Sequence, residues 1–340
     1  MEPLEALRRI AFLLERRLEP SYRVKAFRNA AEVVLAAGDA EIRRRVTAGT
    51  LTELPGIGKA TAAVIAEAVA GGTPAYLTRL EPGSGPLVEL SAEAAGILAA
   101  LRGDLHTHSD WSDGGSPIEE MAVTGIELGN AYQVLTDHSP RLTVARGLTA
   151  DRLRSQLDVL AELRPRLGDF RLLSGIEVDI LDDGSLDQEP ELLGELDVVV
   201  ASVHSKLAMD GPAMTRRMLK AIADPHTNVL GHCTGRLNGG KKRQQSSFDA
   251  EAVFAACAEH RVAVEINSRP ERLDPPDELL HMAVAAGCLF SIDTDAHAPG
   301  QLDWKQYGAD KAARCGVPVE RIVTSWPVER LLEWAGKAGE

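Results

Sequence analysis

Two histidines and three acidic residues share the fourteen positions of GDLHTHSDWSDGGS, residues 103–116. Alone, such a stretch is an ordinary polar loop. Six further short apolar runs of the chain, however, end in side chains of the same kind. AYQVLTDHS brings Asp137 and His138, LLSGIEVDI brings Glu177 and Asp179, and LDVVVASVHS brings His204. TNVLGHC adds His232, VAVEINS adds Glu265 and Asn267, and LFSIDTDAH adds Asp293, Asp295 and His297. His106/His108 and Asp295/His297 are i, i+2 pairs, so in a strand each pair points to one face. Six of the nine histidines close apolar runs in this way, whereas His226, His260 and His281 do not. One such histidine would be a hydrogen-bonded structural residue; six beside carboxylates point to metal. Imidazole and carboxylate without thiolate suit zinc, manganese or iron in a catalytic site. The candidates outnumber the ligands one tetrahedral ion needs, so two or three divalent ions are implied. Ions so held lower the pKa of a bound water to roughly 7 and neutralise both attacked and departing oxygens, which is machinery for phosphoester hydrolysis. No Ser-His-Asp or Cys-His arrangement and no P-loop competes with it.

Something must hold those side chains on one rim. Segments such as DRLRSQLDVLAELRPRL and DAEAVFAACAEHR have helical periodicity and alternate with the apolar runs. Seven strand–helix repeats predict an α/β domain with a parallel sheet closed as a barrel, whose functional groups sit at the carboxyl ends of the strands. Ahead of it, residues 4–18 and 22–37 space apolar residues as helices do. LTELPGIGKATAAVIAEAVAGG then reads as a short helix, a Gly-x-Gly turn and an apolar helix ending at Gly71-Gly72. EPGSGP, residues 81–86, is a break, and SAEAAGILAAL is a short helix leading to the main body. The boundary therefore lies between about residues 78 and 102.

Composition agrees. At 340 residues the chain predicts one large domain and a smaller one, and its 44% hydrophobic content is ample for a core. The net charge of −13 is uneven. Residues 1–80 carry twelve Lys and Arg against nine Asp and Glu, the remainder 25 against 41. An acidic body with a mildly basic appendage is compatible with nucleic acid reaching the protein through the appendage. The four cysteines form no CxxC pair, which predicts free thiols. No apolar run is long enough to span a bilayer, and charge interrupts the N-terminal helix, so the expected location is cytoplasmic.

DLHTHSDWSDG, TDHS, GIEVDI, SVHS, GH and TDAH resemble the successive motifs of the polymerase-and-histidinol-phosphatase (PHP) superfamily, across essentially all of residues 103–330. The resemblance implies a distorted (β/α)7 barrel with three divalent ions, zinc, manganese or iron. It implies that His106, His108, Glu177 and Asp295 hold the first ion. His204 and His232 would hold the second, with Glu177 shared as a bridge. Asp113, His138 and His297 would hold the third. A hydroxide bridging two ions, held by Glu177 and the cluster, would attack phosphorus. SDGG, VLTDHS, GIEVDIL, ASVHSK and GHCTGRL are most similar to the PHP domain of bacterial family-X DNA polymerases. SYRVKAFRNAA followed by LPGIGKATAAVIAEAV resembles the small all-α helix-hairpin-helix domain that begins those polymerases. Gly56, Ile57, Gly58 and Lys59 would meet a DNA phosphate there, since two glycines permit close backbone approach and expose N–H groups beside a helix N-terminus. The expected domains are thus 1–78, helix-hairpin-helix; 79–101, linker; and 102–340, phosphoesterase.

Two departures narrow the implication. Fewer than thirty residues separate the domains, too few for a polymerase palm. The lysine that forms a Schiff base in the family's lyase corresponds here to Val64. What remains is DNA tethering joined to a phosphoesterase acting on DNA ends, as a 3′–5′ exonuclease or 3′-phosphodiesterase or phosphatase, with cutting at abasic sites as an extension. The alternative is a small-molecule phosphatase of the histidinol-phosphate or nucleotide type. Among the loop cations Lys206, Arg236, Lys241, Lys242, Arg243 and Arg269, the expected phosphate contacts are Arg236, Lys206, Arg243 and Arg269, with Arg236 foremost.

Overall fold

The computed structural model describes residues 1–239 and 242–336. Packing divides the chain into residues 1–86 with 299–301, and residues 87–298 with the chain from 302 on.

The first unit holds helices α1 (Pro3–Arg16), α2 (Ser21–Ala37), α3 (Asp39–Ala48), α4 (Lys59–Val69) and α5 (Ala75–Leu80). Apolar residues three and four apart give each long helix one stripe, and the stripes meet: Leu7, Ile10, Leu14, Phe27, Val34, Ile65 and Leu77 share one core. Glu15 and Arg28 are buried within it as a bidentate pair, at 2.7 and 2.6 Å. The turn before α4 is the LPGIG stretch. Gly56 stands there at φ +93°, and a Cβ on it would lie 3.1 Å from Val33. Val64 is buried in the core.

The second unit begins with α6 (Ala92–Ala100), inside the stretch read as a linker; it buries Ala94 and Ile97 against the barrel helices. The barrel alternates β1 (Gly103–Thr107), α7 (Ile118–Glu127), β2 (Tyr132–Leu135), α8 (Ala150–Leu163), β3 (Arg171–Asp179), α9 (Pro190–Leu193) and β4 (Val198–Ser202). It continues with α10 (Gly211–Ile222), β5 (Val229–Leu230), α11 (Ala250–Glu259), β6 (Ala263–Asn267), α12 (Asp277–Ala285), β7 (Phe290–Asp293), α13 (Lys305–Arg314) and α14 (Val328–Trp334). All seven strands pair in parallel in sequence order. The β7–β1 seam is drawn together by a Thr107–Ala296 bridge, and the Ile322–Trp326 stretch fills its lower part through Arg102, Phe290 and Ile292. The result is the nearly closed seven-stranded barrel that the strand–helix alternation predicts.

Inward residues change character along each strand. At the amino end Leu105, Tyr132, Val134, Leu173, Val198, Val200 and Ala263 make an apolar floor, sealed by Trp326 and Leu331. Two to four residues further, the inward side chains are His138, Glu177, His204 and Glu265. Strand β1 would break this parity but for a register shift between Asp104 and Thr107. The extra residue lets Leu105 join the floor while His106 and His108 face the rim, as a bulge does when it re-aims a side chain. Between floor and rim the wall is thin. A Cβ on Gly175 would lie 2.5 Å from Val134 and 2.7 Å from the Val198 carbonyl.

Gly175→Ala is therefore expected to cost roughly 2–3 kcal/mol through overpacking, seen as a lower urea midpoint. Gly96→Ala, inside α6 with open space around it, should instead add roughly 0.5–1 kcal/mol of stability and raise the midpoint. Equal midpoints for the two variants would contradict the packing described.

Candidate metal centre

Each barrel strand delivers its side chains to one end of the fold. The nine residues expected as ligands are brought together in four overlapping groups, with the ligand atoms of each within 4.8 Å of one another. The groups are His106/Glu177/His232, His106/His108/Asp295, His138/Glu177/His204 and His108/Asp113/His138/His297. Glu177 is central. Its Oε1 lies 3.1 Å from His204 and 2.8 Å from His232, and its Oε2 lies 3.3 Å from His106 and 2.8 Å from His138. Asp113 faces His138 at 3.5 Å and His297 at 3.3 Å. Asp295 faces His108 at 3.4 Å. Asp295 adopts φ +53°, a conformation aspartate tolerates better than most residues.

These residues fit a metal by the state of their atoms. Among the described residues, the buried His106 Nε2, both ring nitrogens of His108 and His204, His138 Nδ1 and Glu177 Oε2 have no hydrogen-bond partner. Buried polar atoms without partners are costly, and here they converge on one space. Charge is arranged to match. Burial would favour a neutral Glu177, yet His204, His106 and His138 hold it well below the carboxylate range. Asp295 is likewise held low, by His108, Arg272 and His106 against burial. Burial depresses His108 to about 3, reinforced by the like charges of His297 and His138. Burial also opposes charge on His204, but Glu177 and Asp179 outweigh it and raise the ring to about 9.

A surrounding layer fixes these ligands, as outer partners do in metal sites. His106 Nδ1 meets Glu265 at 2.6 Å, and Glu265 also accepts from the His232 backbone N–H and from Asn267. Asp179 accepts from the His204 N–H at 3.1 Å. Asp137 accepts from Ser109, Ser112 and Gln156 and pins the HTHSDWSDGG loop that carries Asp113. Asp110 contributes only backbone, its N–H donating to Ser116 and its carbonyl accepting from Arg146.

The expected phosphate contacts fare differently. Arg236 donates from Nε and Nη2 to the carbonyls of Arg272 and Leu273. Arg243 donates to the Gly235 carbonyl at 2.6 Å, Arg269 pairs with Glu271 at 3.2 Å, and Lys206 pairs with Asp182 at 2.5 Å. Lys242 is exposed, and Lys241 lies outside the described residues. The side chain at the site is one the motifs did not single out: Arg272 Nε stands 3.1 Å from Asp295 Oδ2. In the first unit, Gly58 caps α4 with its N–H donating to Thr61 at 2.9 Å, Ile57 is buried, and Gly56 and Lys59 are exposed. Among the described residues, no helix is long and apolar enough to cross a membrane.

Fold and site together define a seven-stranded (β/α) barrel whose carboxyl rim gathers imidazoles and carboxylates able to hold metal. Residues 104–269 match the PHP domain, and residues 1–74 match a helix-hairpin-helix domain. The chain is 30% identical over 205 residues to a probable phosphatase of Thermoanaerobacter sp. (strain X514), covering 57% of this chain and 78% of that protein. It belongs to the PHP family. It is also 38% identical over 244 residues to the DNA polymerase/3′-5′ exonuclease PolX of Bacillus subtilis (strain 168). That match covers 71% of this chain but only 42% of PolX. A solved histidinol phosphate phosphatase from Lactococcus lactis superposes with a TM-score of 0.45 at 18% identity, over 63% of this chain and 94% of that one.

Two outcomes follow for stability. Metal requires neutral imidazole, whereas metal-free His204 keeps its proton up to about 9. Its raised pKa stabilises the metal-free fold below the unfolded value of about 6.5 and loses that contribution as pH rises through about 9. The rise in Tm on adding Mn²⁺ should therefore grow from pH 6.5 to 9; an increment independent of pH would contradict the charge arrangement. Asp137→Ala leaves every ligand in place but frees the loop under Asp113. It should weaken metal binding roughly 10- to 100-fold, measured by titration; unchanged affinity would show that the loop holds itself.

Proposed function

We propose that the protein is a metal-dependent phosphoester hydrolase acting on DNA ends, as a 3′–5′ exonuclease or a 3′-phosphodiesterase or phosphatase. One observation carries this reading: a chain with a helix-hairpin-helix domain also assembles nine His, Asp and Glu side chains on the rim of a PHP barrel. His106, His108, Asp113, His138, Glu177, His204, His232, Asp295 and His297 would hold the ions, three of them by the number and grouping of ligands. Zinc, manganese and iron all suit this donor set. When bound, such ions supply a water of lowered pKa and charge neutralisation at phosphorus. The chain does the rest. Glu177 stays ionised under its four imidazoles and ties strands β3, β4 and β5 to β1 and β2. Glu265 fixes the His106 ring, and Asp179 holds the backbone at His204. Gly56, Ile57, Gly58 and Lys59 would grip the DNA backbone without reading bases, since N–H groups at a helix start bind phosphate of any sequence.

A second reading, a small-molecule phosphatase, is favoured by the barrel-length relatives described as probable phosphatases. The two separate on the N-terminal domain. On the first reading, Mn²⁺-loaded protein releases nucleotides or phosphate from labelled 3′ ends. Chelation or His204→Ala abolishes that release, and Lys59→Glu weakens DNA turnover several-fold while leaving p-nitrophenyl phosphate turnover alone. Fast turnover of small monoesters with no cleavage of any DNA end would select the second reading.

A further inference from the structure

We propose that the rim loop following β2 receives the DNA strand beside the reacting phosphate, with Val144 packing on a nucleotide and Arg141 meeting the strand's backbone. The inference rests on the DNA-end reading above and deepens it. Val144 is 89% exposed, more than any other exposed large apolar side chain among the described residues. A lone apolar residue on a surface is commonplace. This one differs in where it stands and how firmly it is held there.

The loop, residues 139–148, starts directly after His138 and returns to it, since the Leu148 N–H donates to the His138 carbonyl at 2.7 Å. One side is fixed to β3 and the segment after it. Ser139 N–H donates to the Glu177 carbonyl at 3.1 Å, and the Ser139 hydroxyl and the Arg141 N–H both donate to the Asp187 carboxylate. The other side is fixed to the loop that carries Asp113, because Arg146 donates to the carbonyls of Asp110 and Ser112. Arg152 donates to the Gly147 carbonyl at 3.2 Å and to the Trp111 carbonyl. Gly147 is pressed so close that a Cβ on it would lie 1.7 Å from the Ser139 carbonyl oxygen. Ala145 and Leu148 are buried, which leaves Val144, in the turn Thr143–Ala145, held out in solvent.

What such a loop meets follows from reach and charge. A ten-residue loop whose ends meet extends no more than half its contour, roughly 17 Å at about 3.3–3.6 Å per residue. That is the length of about five stacked nucleotides at roughly 3.4 Å each. A substrate reacting at the metal centre touches the loop only if a chain continues past the reacting phosphate, as a polynucleotide does and a simple monoester does not. Arg141 is exposed, and among the described residues its guanidinium has no hydrogen-bond or ion-pair partner. The nearby carboxylates are spent on other donors: Asp182 pairs with Lys206, and Asp187 takes Ser139 and the Arg141 backbone. A cation without a counter-ion beside an exposed apolar group suits a strand whose phosphates alternate with sugar and base faces. Such a pair positions a strand without selecting a base.

The test compares wild type, Val144→Ser, Val144→Leu and Arg141→Gln in the full chain loaded with Mn²⁺. Release from an oligonucleotide with a labelled 3′ end gives kcat and KM, calorimetry gives the affinity for inorganic phosphate, and elemental analysis gives bound metal. Val144→Ser should raise KM roughly tenfold, the scale of covering one valine side chain. Phosphate affinity, metal per chain and Tm should stay at wild-type values, and Val144→Leu, which keeps an apolar face, should keep KM near wild type. Arg141→Gln should raise KM and flatten the dependence of log KM on log salt by about 0.7–0.9, the loss of one phosphate contact. Val144→Ser should leave that slope unchanged. KM within twofold of wild type in both Val144→Ser and Arg141→Gln would overturn the assignment. So would a loss of metal or of phosphate affinity that parallels the loss of oligonucleotide turnover, because the loop would then serve only the ligands it braces. Wild type that cleaves no DNA end overturns the functional reading itself, and is told apart because it fails before any variant is compared.

Discussion

A single buried carboxylate organises the centre. Glu177 has no solvent to stabilise its charge, and an unpaired ion in such a place would be prohibitively costly. Its two oxygens lie within 3.3 Å of imidazoles from four other segments: His106, His138, His204 and His232. Each of those rings has a buried nitrogen left without a hydrogen bond in the protein. Carboxylate and imidazoles are therefore mutually dependent, and a cluster of divalent cations would satisfy them together. The ring of strands exists, in functional terms, to bring these five side chains to one point.

The barrel achieves this by dividing its interior. Apolar side chains from the lower halves of the strands form a packed floor, which supplies the burial energy that a polar rim lacks. The rim then carries charge at little structural risk, because Glu265, Asp137 and Asp179 take up the donors around the ligands and Asn267 donates to the Asp295 carboxylate. The bulge in β1 is the one irregularity this scheme needs, since without it Leu105 and His106 could not both face inward.

Much of this was legible in the sequence, for a physical reason. Strands in a parallel barrel are buried on both faces and read as short apolar runs, and residues that end such runs share a rim. All nine expected ligands consequently meet, and Glu265 and Asn267 stand just behind them as strand ends should. The loops were less legible. A basic loop such as GRLNGGKKR does not reveal whether a guanidinium faces substrate or a carbonyl, and Arg236 turned out to brace the neighbouring turn. Arg272, inside SRPERLD, carried no periodic signal at all. Its place depends on backbone hydrogen bonds between two loops distant in sequence. The two-unit organisation was visible as a change of period, from helices alone to alternating strands and helices.

The central claim is that Glu177 and its neighbours form one polynuclear metal centre on which hydrolysis depends. Elemental analysis of the full chain after metal loading and desalting tests it most directly, with Glu177→Ala measured in parallel. About three divalent ions per wild-type chain, set by the nine ligands and the usual three or four protein ligands per catalytic ion, and at most one in the variant, is the predicted result. Wild-type protein that retains no metal yet hydrolyses phosphoesters at full rate, or a variant that keeps the wild-type complement, would contradict it.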